Sequence, residues 1–224
     1  MIRTIICDDH SLFREGLSSL LKNYNDIGVI AEANNGFELK TTLEKIECDV
    51  LLTDFSMPGG GVELIKELHE RYPNMAIIVL SMHSEDHFAI RVFKAGAVGF
   101  MSKNCLSENL ADAIRKASQG QCFMNPKSTQ LFESAQSQKN KKGEGHEGLS
   151  DREFEVMVGI ADGRSLTEIG ESLCLSVKTV STYRSRVLSK LNLHSNAEIV
   201  HYVLSQGLSS KFAHDSGDIS KKDV

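Results

Sequence analysis

The sequence offers nothing from which to build a disulfide framework. Its five cysteines (Cys7, Cys48, Cys105, Cys122 and Cys174) are odd in number, scattered and never spaced C-x-x-C. They read as free thiols in a reducing compartment. The chain opens without a basic stretch followed by a long apolar one, as a secretory signal would show. No apolar run approaches the roughly 18 residues that a membrane helix needs. A cytoplasmic protein with no membrane association is therefore expected. Between Ser172 and Ala197 the sequence also lacks any Asp or Glu, although the chain carries 30 of them and a net charge of −5. The same window holds Lys178, Arg184, Arg186 and Lys190. An acidic chain with one acid-free basic stretch argues against a protein basic all over and for a local nucleic-acid footprint.

What is present suits a soluble globular protein: 224 residues, 41% hydrophobic and 25% charged. That length suggests two domains, each able to bury its own core. The first ~120 residues alternate short apolar or β-branched runs with amphipathic stretches. Strands are predicted at Thr4–Cys7, Val29–Ala33, Val50–Thr53, Ile77–Leu80 and Val98–Met101, and helices near Ser11–Tyr24, Phe37–Ile46, Val62–Tyr72, Glu85–Lys94 and Ser107–Ser118. Five strand–helix repeats imply an α/β fold, a doubly wound (βα)5 domain with a five-stranded parallel sheet covered on both faces. From Glu133 to Gly148 the text (ESAQSQKNKKGEGHEG) loses all apolar periodicity and reads as a linker. Beyond it only helical patterns occur. The expected division is 1–122 for the α/β domain, 123–148 for the linker, 149–208 for a small all-α four-helix domain and 209–224 for a polar tail.

Asp8 and Asp9 stand directly after the first predicted strand and Asp54 directly after the third. In a doubly wound sheet those strand ends are neighbours, so three carboxylates converge at one edge. There they raise one another's pKa unless a cation neutralises them. Oxygen ligands at a solvent-facing edge favour Mg²⁺, which also contacts phosphoryl groups. Ser81, after the fourth strand, can donate a hydrogen bond to a phosphoryl oxygen, and Lys103, after the fifth, can place a positive charge beside it. These parts describe phosphoryl transfer onto a carboxylate, with central Asp54 as acceptor and the Asp8–Asp9 pair holding the metal. A lone Asp after a strand is ordinarily a helix N-cap. Five polar residues at the ends of four strands of one sheet are not explained that way.

The segments ICDDH, LLTDFSMPGG, IVLSMHSE and VGFMSKN closely resemble the receiver domains of two-component response regulators, over about residues 1–122. The resemblance implies that Asp54 accepts phosphate from a sensor histidine kinase or a phosphotransfer protein. It implies that Asp9, Asp54 and the Ser56 backbone carbonyl ligate Mg²⁺, with Asp8 helping directly or through water. Ser81 then serves as the switch hydroxyl. Phe100 takes the place of the switch aromatic that turns inward when Ser81 is drawn toward the phosphate; a plain core residue is the alternative. Two departures stand out. The turn GGGVEL after Pro58 is one residue shorter than the common family pattern, and Asn104 stands where many relatives carry a cis proline.

In the second domain Ser150 with Glu153, and Ser165 with Glu168, form S-x-x-E capping boxes for two helices, the first running to about Asp162 with Gly163 beyond it. The turn Cys174–Leu175–Ser176 leads into a third helix, Val177 to about Leu191, in a helix-turn-helix arrangement. Val180, Tyr183, Val187 and Leu191 share its inward face, while Lys178, Ser181, Thr182, Ser185, Arg186 and Ser189 face outward, and Arg184 snorkels from near the buried side. Hydroxyls and long cations without acids suit a groove lined by phosphates. The segments LSDREFEVM, IADGRSLTEIGESLCLS and VKTVSTYRSRVLSKLNLHSNAE resemble the LuxR-type module that ends NarL/FixJ-family regulators, nearest to the BvgA, EvgA and GacA type. That resemblance implies sequence-specific binding of double-stranded DNA as a homodimer formed on phosphorylation. Candidate contacts are Lys178, Thr179, Ser181, Thr182, Arg184, Ser185, Arg186 and Lys190. The resemblance implies dimer contacts from a last helix, about Asn196–Gln206, which has Ile199, Val203 and Leu204 on one side; a helix that simply closes the small core is the alternative. It further implies a receiver that covers the recognition helix until phosphorylated. The alternatives are a Mg²⁺-dependent phosphatase with Asp54 as nucleophile and an adaptor that binds no DNA. Haloacid-dehalogenase-like enzymes carry a second Asp two residues after the nucleophile; here Ser56 stands there, so a phospho-accepting transcription factor and not an enzyme is expected.

Overall fold

The computed structural model describes residues 1–82, 85–103, 109–123 and 145–208. Alternation begins with β1 (Ile2–Cys7), α1 (Ser11–Leu21), β2 (Ile27–Ala33), α2 (Gly36–Leu43), β3 (Val50–Asp54) and α3 (Val62–Arg71). It continues with β4 (Ala76–Ser81), α4 (Glu85–Lys94), β5 (Gly99–Ser102) and α5 (Leu110–Ser118). The strands lie in the order β2-β1-β3-β4-β5, every pairing parallel. Successive residues on each strand face opposite layers. Ile5, Leu51, Ile77, Val79 and Phe100 pack with α2, α3 and α4 on one side. Ile6, Leu52, Ile78, Leu80 and Met101 pack with α1 and α5 on the other. Burial on both faces explains why these strands read as continuous apolar runs.

All ten predicted elements are present, with shifted ends. β1 and β2 begin two residues earlier than expected because Ile2 and Ile27 are already in register. α1 stops at Leu21, not Tyr24, as Asn23, Asn25 and Asp26 turn the chain into β2. Asn35 starts α2 by accepting from the Phe37 and Glu38 amides, both at 2.9 Å.

The helical part comprises α6 (Asp151–Ala161), α7 (Leu166–Leu173), α8 (Val177–Leu191) and α9 (Asn196–Ser205). Both capping boxes form, at Ser150/Glu153 and Ser165/Glu168, and Ser176 accepts from the Thr179 amide at 3.1 Å to start α8. In the turn between α7 and α8 a side chain at Gly170 would meet the Leu175 carbonyl, so a small residue is needed there. The last four residues of the expected linker are among those described. Gly145–Gly148 form a 3₁₀ turn, and the His146 amide donates to the Tyr202 hydroxyl at 3.1 Å. Residues 124–144 and the tail beyond 208 lie outside the described residues.

Candidate functional site

Strand-end placement brings the predicted acidic residues together. Asp8 follows β1 and Asp54 ends β3, while Ser81 ends β4 and pairs in register with Ser102, directly before Lys103. Side-chain ligand atoms of Asp8, Asp9, His10 and Asp54 all lie within 4.8 Å of one another. The Lys103 ammonium sits 2.6 Å from Asp8 Oδ2 and 3.0 Å from Asp54 Oδ1, with its side chain only 4% exposed. Burial is the main cause that pushes the Asp54 carboxyl up to about 6; Lys103 pulls it down and the neighbouring Asp8 pushes it further up. Among the described residues Asp8 Oδ2 accepts no well-aligned hydrogen bond and depends on Lys103 for neutralisation. A buried, under-coordinated carboxylate oxygen in an oxygen-rich cluster fits a hard divalent cation. Ser56 lies half-buried two residues after Asp54, in the loop leading to α3. Ser81 and Phe100 are both buried, and Phe100 already packs inward against the layer that contains α4.

Three residues at the start of α1, its N-cap His10 with Phe13 and Arg14, complete the pocket and were not singled out from the sequence. The His10 ring nitrogen Nδ1 is 2.9 Å from Asp9 Oδ1 and 3.2 Å from Asp8 Oδ1, and the His10 amide donates to Asp8 Oδ1 at 2.9 Å. The Phe13 ring lies 4.6 Å from the Lys103 ammonium. Arg14 donates to the Asp8 carbonyl at 2.6 Å. Their signal was adjacency: His10 follows the acid pair, and Phe13 and Arg14 come three and four residues later on a helix. Asn104 lies outside the described residues, and no cis peptide bond occurs among those described.

The acid-free helix α8 buries Val180 and Val187, half-buries Tyr183 and Leu191, and exposes Lys178, Thr182, Ser185, Arg186 and Ser189. Thr182 and Ser185 hydroxyls rest on their own helix, donating to the Lys178 and Ser181 carbonyls at 3.0 Å each. Other candidate contacts are less free. Thr179 and Ser181 are half-buried, and the Thr179 hydroxyl bonds that of Ser176 at 2.8 Å. Arg184 does not reach out alone, because its Nε donates to Asn196 Oδ1 at 2.5 Å. Lys190, at 2.6 Å from Glu153 Oε2, is tied to the capping box of α6. On α9, Ile199 and Val203 are buried, whereas Leu204, expected on the same side, is 40% exposed.

Residues 4–115 match the response regulator receiver domain family, and residues 147–203 match the bacterial regulatory proteins of the luxR family. The chain is 35% identical over 209 residues to the response regulator UvrY of Escherichia coli (strain K12), covering 93% of this chain and 96% of that one. With the response regulator GacA of Pseudomonas aeruginosa it shares 32% identity, covering 93% and 98%. Its structure is similar to RcsB of Salmonella enterica serovar Typhimurium bound to promoter rprA, with a TM-score of 0.66, 28% identity and coverage of 91% and 98%.

The chain is a two-component response regulator with a LuxR-type DNA-binding domain. In this response regulator the receiver docks on the first two helices of the DNA-binding domain. Arg91 of α4 donates to the His146 and Leu149 carbonyls at 3.0 and 3.1 Å and pairs with Asp151 at 2.6 Å, while its guanidinium lies 4.3 Å from the Phe154 ring centre. Phe88 packs edge-on against Phe55 at 4.7 Å and Phe154 at 5.1 Å between ring centres. The Gly59 amide donates to the Ser172 carbonyl at 3.3 Å, and the Val62 amide donates to Glu155 Oε1 at 3.0 Å. Receiver contact on its outer side leaves α6 buried from Glu153 to Ala161. The outward face of α8 remains exposed, which corrects the expectation of a covered recognition helix. The sequence held one faint signal of the docking, a lone acid, Glu155, inside the apolar run FEVMVGIA.

Proposed function

We propose that Asp54 accepts a phosphoryl group from a sensor histidine kinase or phosphotransfer protein, and that this acceptance controls sequence-specific binding of double-stranded DNA by a homodimer in the cytoplasm. The carrying observation is the Lys103 ammonium held between Asp8 and Asp54, with Asp9 beside them, at the carboxyl ends of parallel strands. An Asp54 carboxylate oxygen attacks phosphorus. The bond from phosphorus to the donor imidazole nitrogen breaks, and its electron pair stays on that nitrogen. Lys103 neutralises charge on the phosphoryl oxygens, and Ser81, one residue beyond the Asp54 partner Leu80, donates to one of them. Asp8, Asp9, Asp54 and the Ser56 carbonyl would hold Mg²⁺, which would supply positive charge to offset that of the phosphoryl group. The loop from Phe55 to Gly61 carries no carboxyl group to protonate a substrate's leaving group or to activate water, so the phosphoryl group persists long enough to signal. Self-phosphorylation from small donors and slow self-dephosphorylation are the most this site does alone. The domains are assigned as 1–122, 149–208 and the joining 123–148, with 209–224 as tail.

On α8, exposed Lys178 and Arg186 meet phosphates, and Thr182 and Ser185 face base edges once their hydroxyls turn from the helix. Ser181 and Thr179 border that surface. Arg184 and Lys190 approach the backbone only by leaving Asn196 and Glu153. Leu204 offers α9 an apolar contact for the dimer. Incubation with Mg²⁺ and acetyl phosphate should add one hydroxylamine-labile phosphoryl group. Stoichiometric labelling of Asp54→Asn would overturn the assignment.

A further inference from the structure

We propose that Glu155, in the DNA-binding domain, is a positioning residue for phosphoryl acceptance in the receiver: it caps α3 across the domain boundary and so fixes the loop that carries the Ser56 carbonyl. This inference rests on reading Asp54 as the acceptor and Ser56 as a metal ligand.

The loop from Phe55 to Gly61 is poorly able to hold itself. It contains three consecutive glycines, and Gly59 and Gly61 have φ of 73° and 85°. Glycine loses more freedom on ordering than any other residue. Inside the loop the Gly60 amide donates to the Met57 carbonyl at 2.9 Å and the Gly61 amide to the Phe55 carbonyl at 3.0 Å. Past that point the local supply fails. Gly61 is the N-cap of α3 and has no side chain to accept from the first turn, whose amides lack intrahelical partners.

The DNA-binding domain supplies what is missing. Glu155, 6% exposed, accepts the Val62 amide at 3.0 Å, and its second oxygen accepts from Arg152 at 2.9 Å. A carboxylate is buried at high cost unless paired, and the receiver amide is one of these two partners. The fit is mutual, because a Cβ at Gly61 would fall on Glu155 Oε1. A second strut from the same domain, the Ser172 carbonyl, takes the Gly59 amide at 3.3 Å. Phe55, next to Asp54, is pinned through Phe88 to Phe154. Ser56, Gly61, Glu155 and Ser172 line one shared cleft. The loop is thus tied from two sides: the receiver holds the Phe55 amide through the Leu80 carbonyl and the Pro58 carbonyl through the Gly36 amide, both at 2.9 Å, and the DNA-binding domain holds Gly59 and the start of α3. By reciprocity, a domain contact that favours metal binding is itself strengthened by the metal.

The test uses the full chain and titrates Mg²⁺ alone by calorimetry, alongside hydrogen exchange of the Val62 amide. Glu155→Ala should speed that exchange and raise half-saturating Mg²⁺ about fivefold, the factor that losing one helix cap implies. Acceptance from acetyl phosphate should slow by the same factor at low Mg²⁺ and recover at saturation. Glu155→Gln, whose amide oxygen can still accept from Val62, should keep the wild-type midpoint within about twofold. If Glu155→Ala proves unfolded, Glu155→Met, which fills the same space without accepting from the Val62 amide, should give the same rise. An unchanged or lowered Mg²⁺ midpoint in the folded variant, with Val62 exchange accelerated, overturns the inference. Labelling of Asp54→Asn in the Glu155 background instead overturns the acceptor reading on which it rests.

Discussion

Burial decides how Asp54 behaves before any metal arrives. Its carboxyl titrates near 6 in the folded chain, against 3.8 for an unhindered aspartate. The folded state therefore prefers the protonated form, and unfolding is favoured by ionisation. Stability from this residue is complete below about pH 4 and is lost as pH rises through about 6. Urea unfolding in chelator should show Asp54→Asn and wild type alike near pH 4, and the variant more stable by on the order of 2–3 kcal/mol above pH 7. Mg²⁺ should stabilise wild type more than the variant, which keeps Asp8 and Asp9 but has lost one carboxylate. A variant less stable than wild type at pH 7.5 would mean that the Lys103 pair outweighs burial. The carboxylate cluster was legible because Asp8, Asp9, Asp54, Ser81 and Lys103 each stand at or just after a strand end, and parallel topology then gathers strand ends. His10 and Arg14 were not legible, since their roles depend on the direction in which α1 leaves β1.

Helix ends were the most readable elements of the DNA-binding domain, because a capping box is a local signal complete within four residues. Two carboxylates of that domain nevertheless serve partners far away in sequence. Glu153 caps α6 and also holds Lys190, 37 residues on, and periodicity along α8 gives no hint of this. Lys190 and Arg186 should consequently separate by experiment. Replacing exposed Lys178 or Arg186 with Ala should weaken binding to all DNA sequences alike and lower the slope of log affinity against log salt by about one. Lys190→Ala should mainly lower the stability of the domain, with a smaller change of slope. Thr182→Ala should alter preference in a randomised-site selection, each affected base pair counting for roughly 1–3 kcal/mol. Uniform loss with unchanged preference would remove Thr182 from the base-reading face.

Across the whole molecule one layer of the receiver core, that of α2, α3 and α4, is continuous with the core of the DNA-binding domain. Phe88, Val92 and Phe93 of the receiver belong to the same cluster of buried apolar residues as Phe154, Val158 and Ile169 of the DNA-binding domain. No periodicity could announce this, because α6 carries apolar residues on every side and each side is buried for a different reason. Docking through α6 and α7 leaves α8 facing solvent, so domain separation should not be required for a single DNA-binding domain to reach its half-site. Arg91 provides the means to ask. Its guanidinium serves two carbonyls, Asp151 and the Phe154 ring while its side chain is only 14% exposed. Arg91→Ala should cost the docked state roughly 2 kcal/mol and increase the radius of gyration in small-angle scattering. Affinity for a DNA half-site, measured with unphosphorylated protein, should stay within about twofold of wild type. A large gain in affinity on separation would mean that the receiver obstructs the DNA after all, and control would then lie in uncovering α8. An unchanged half-site affinity assigns control to the second copy: phosphorylation would act by pairing two receivers, and the operator would be read by two α8 helices whose spacing that pair sets.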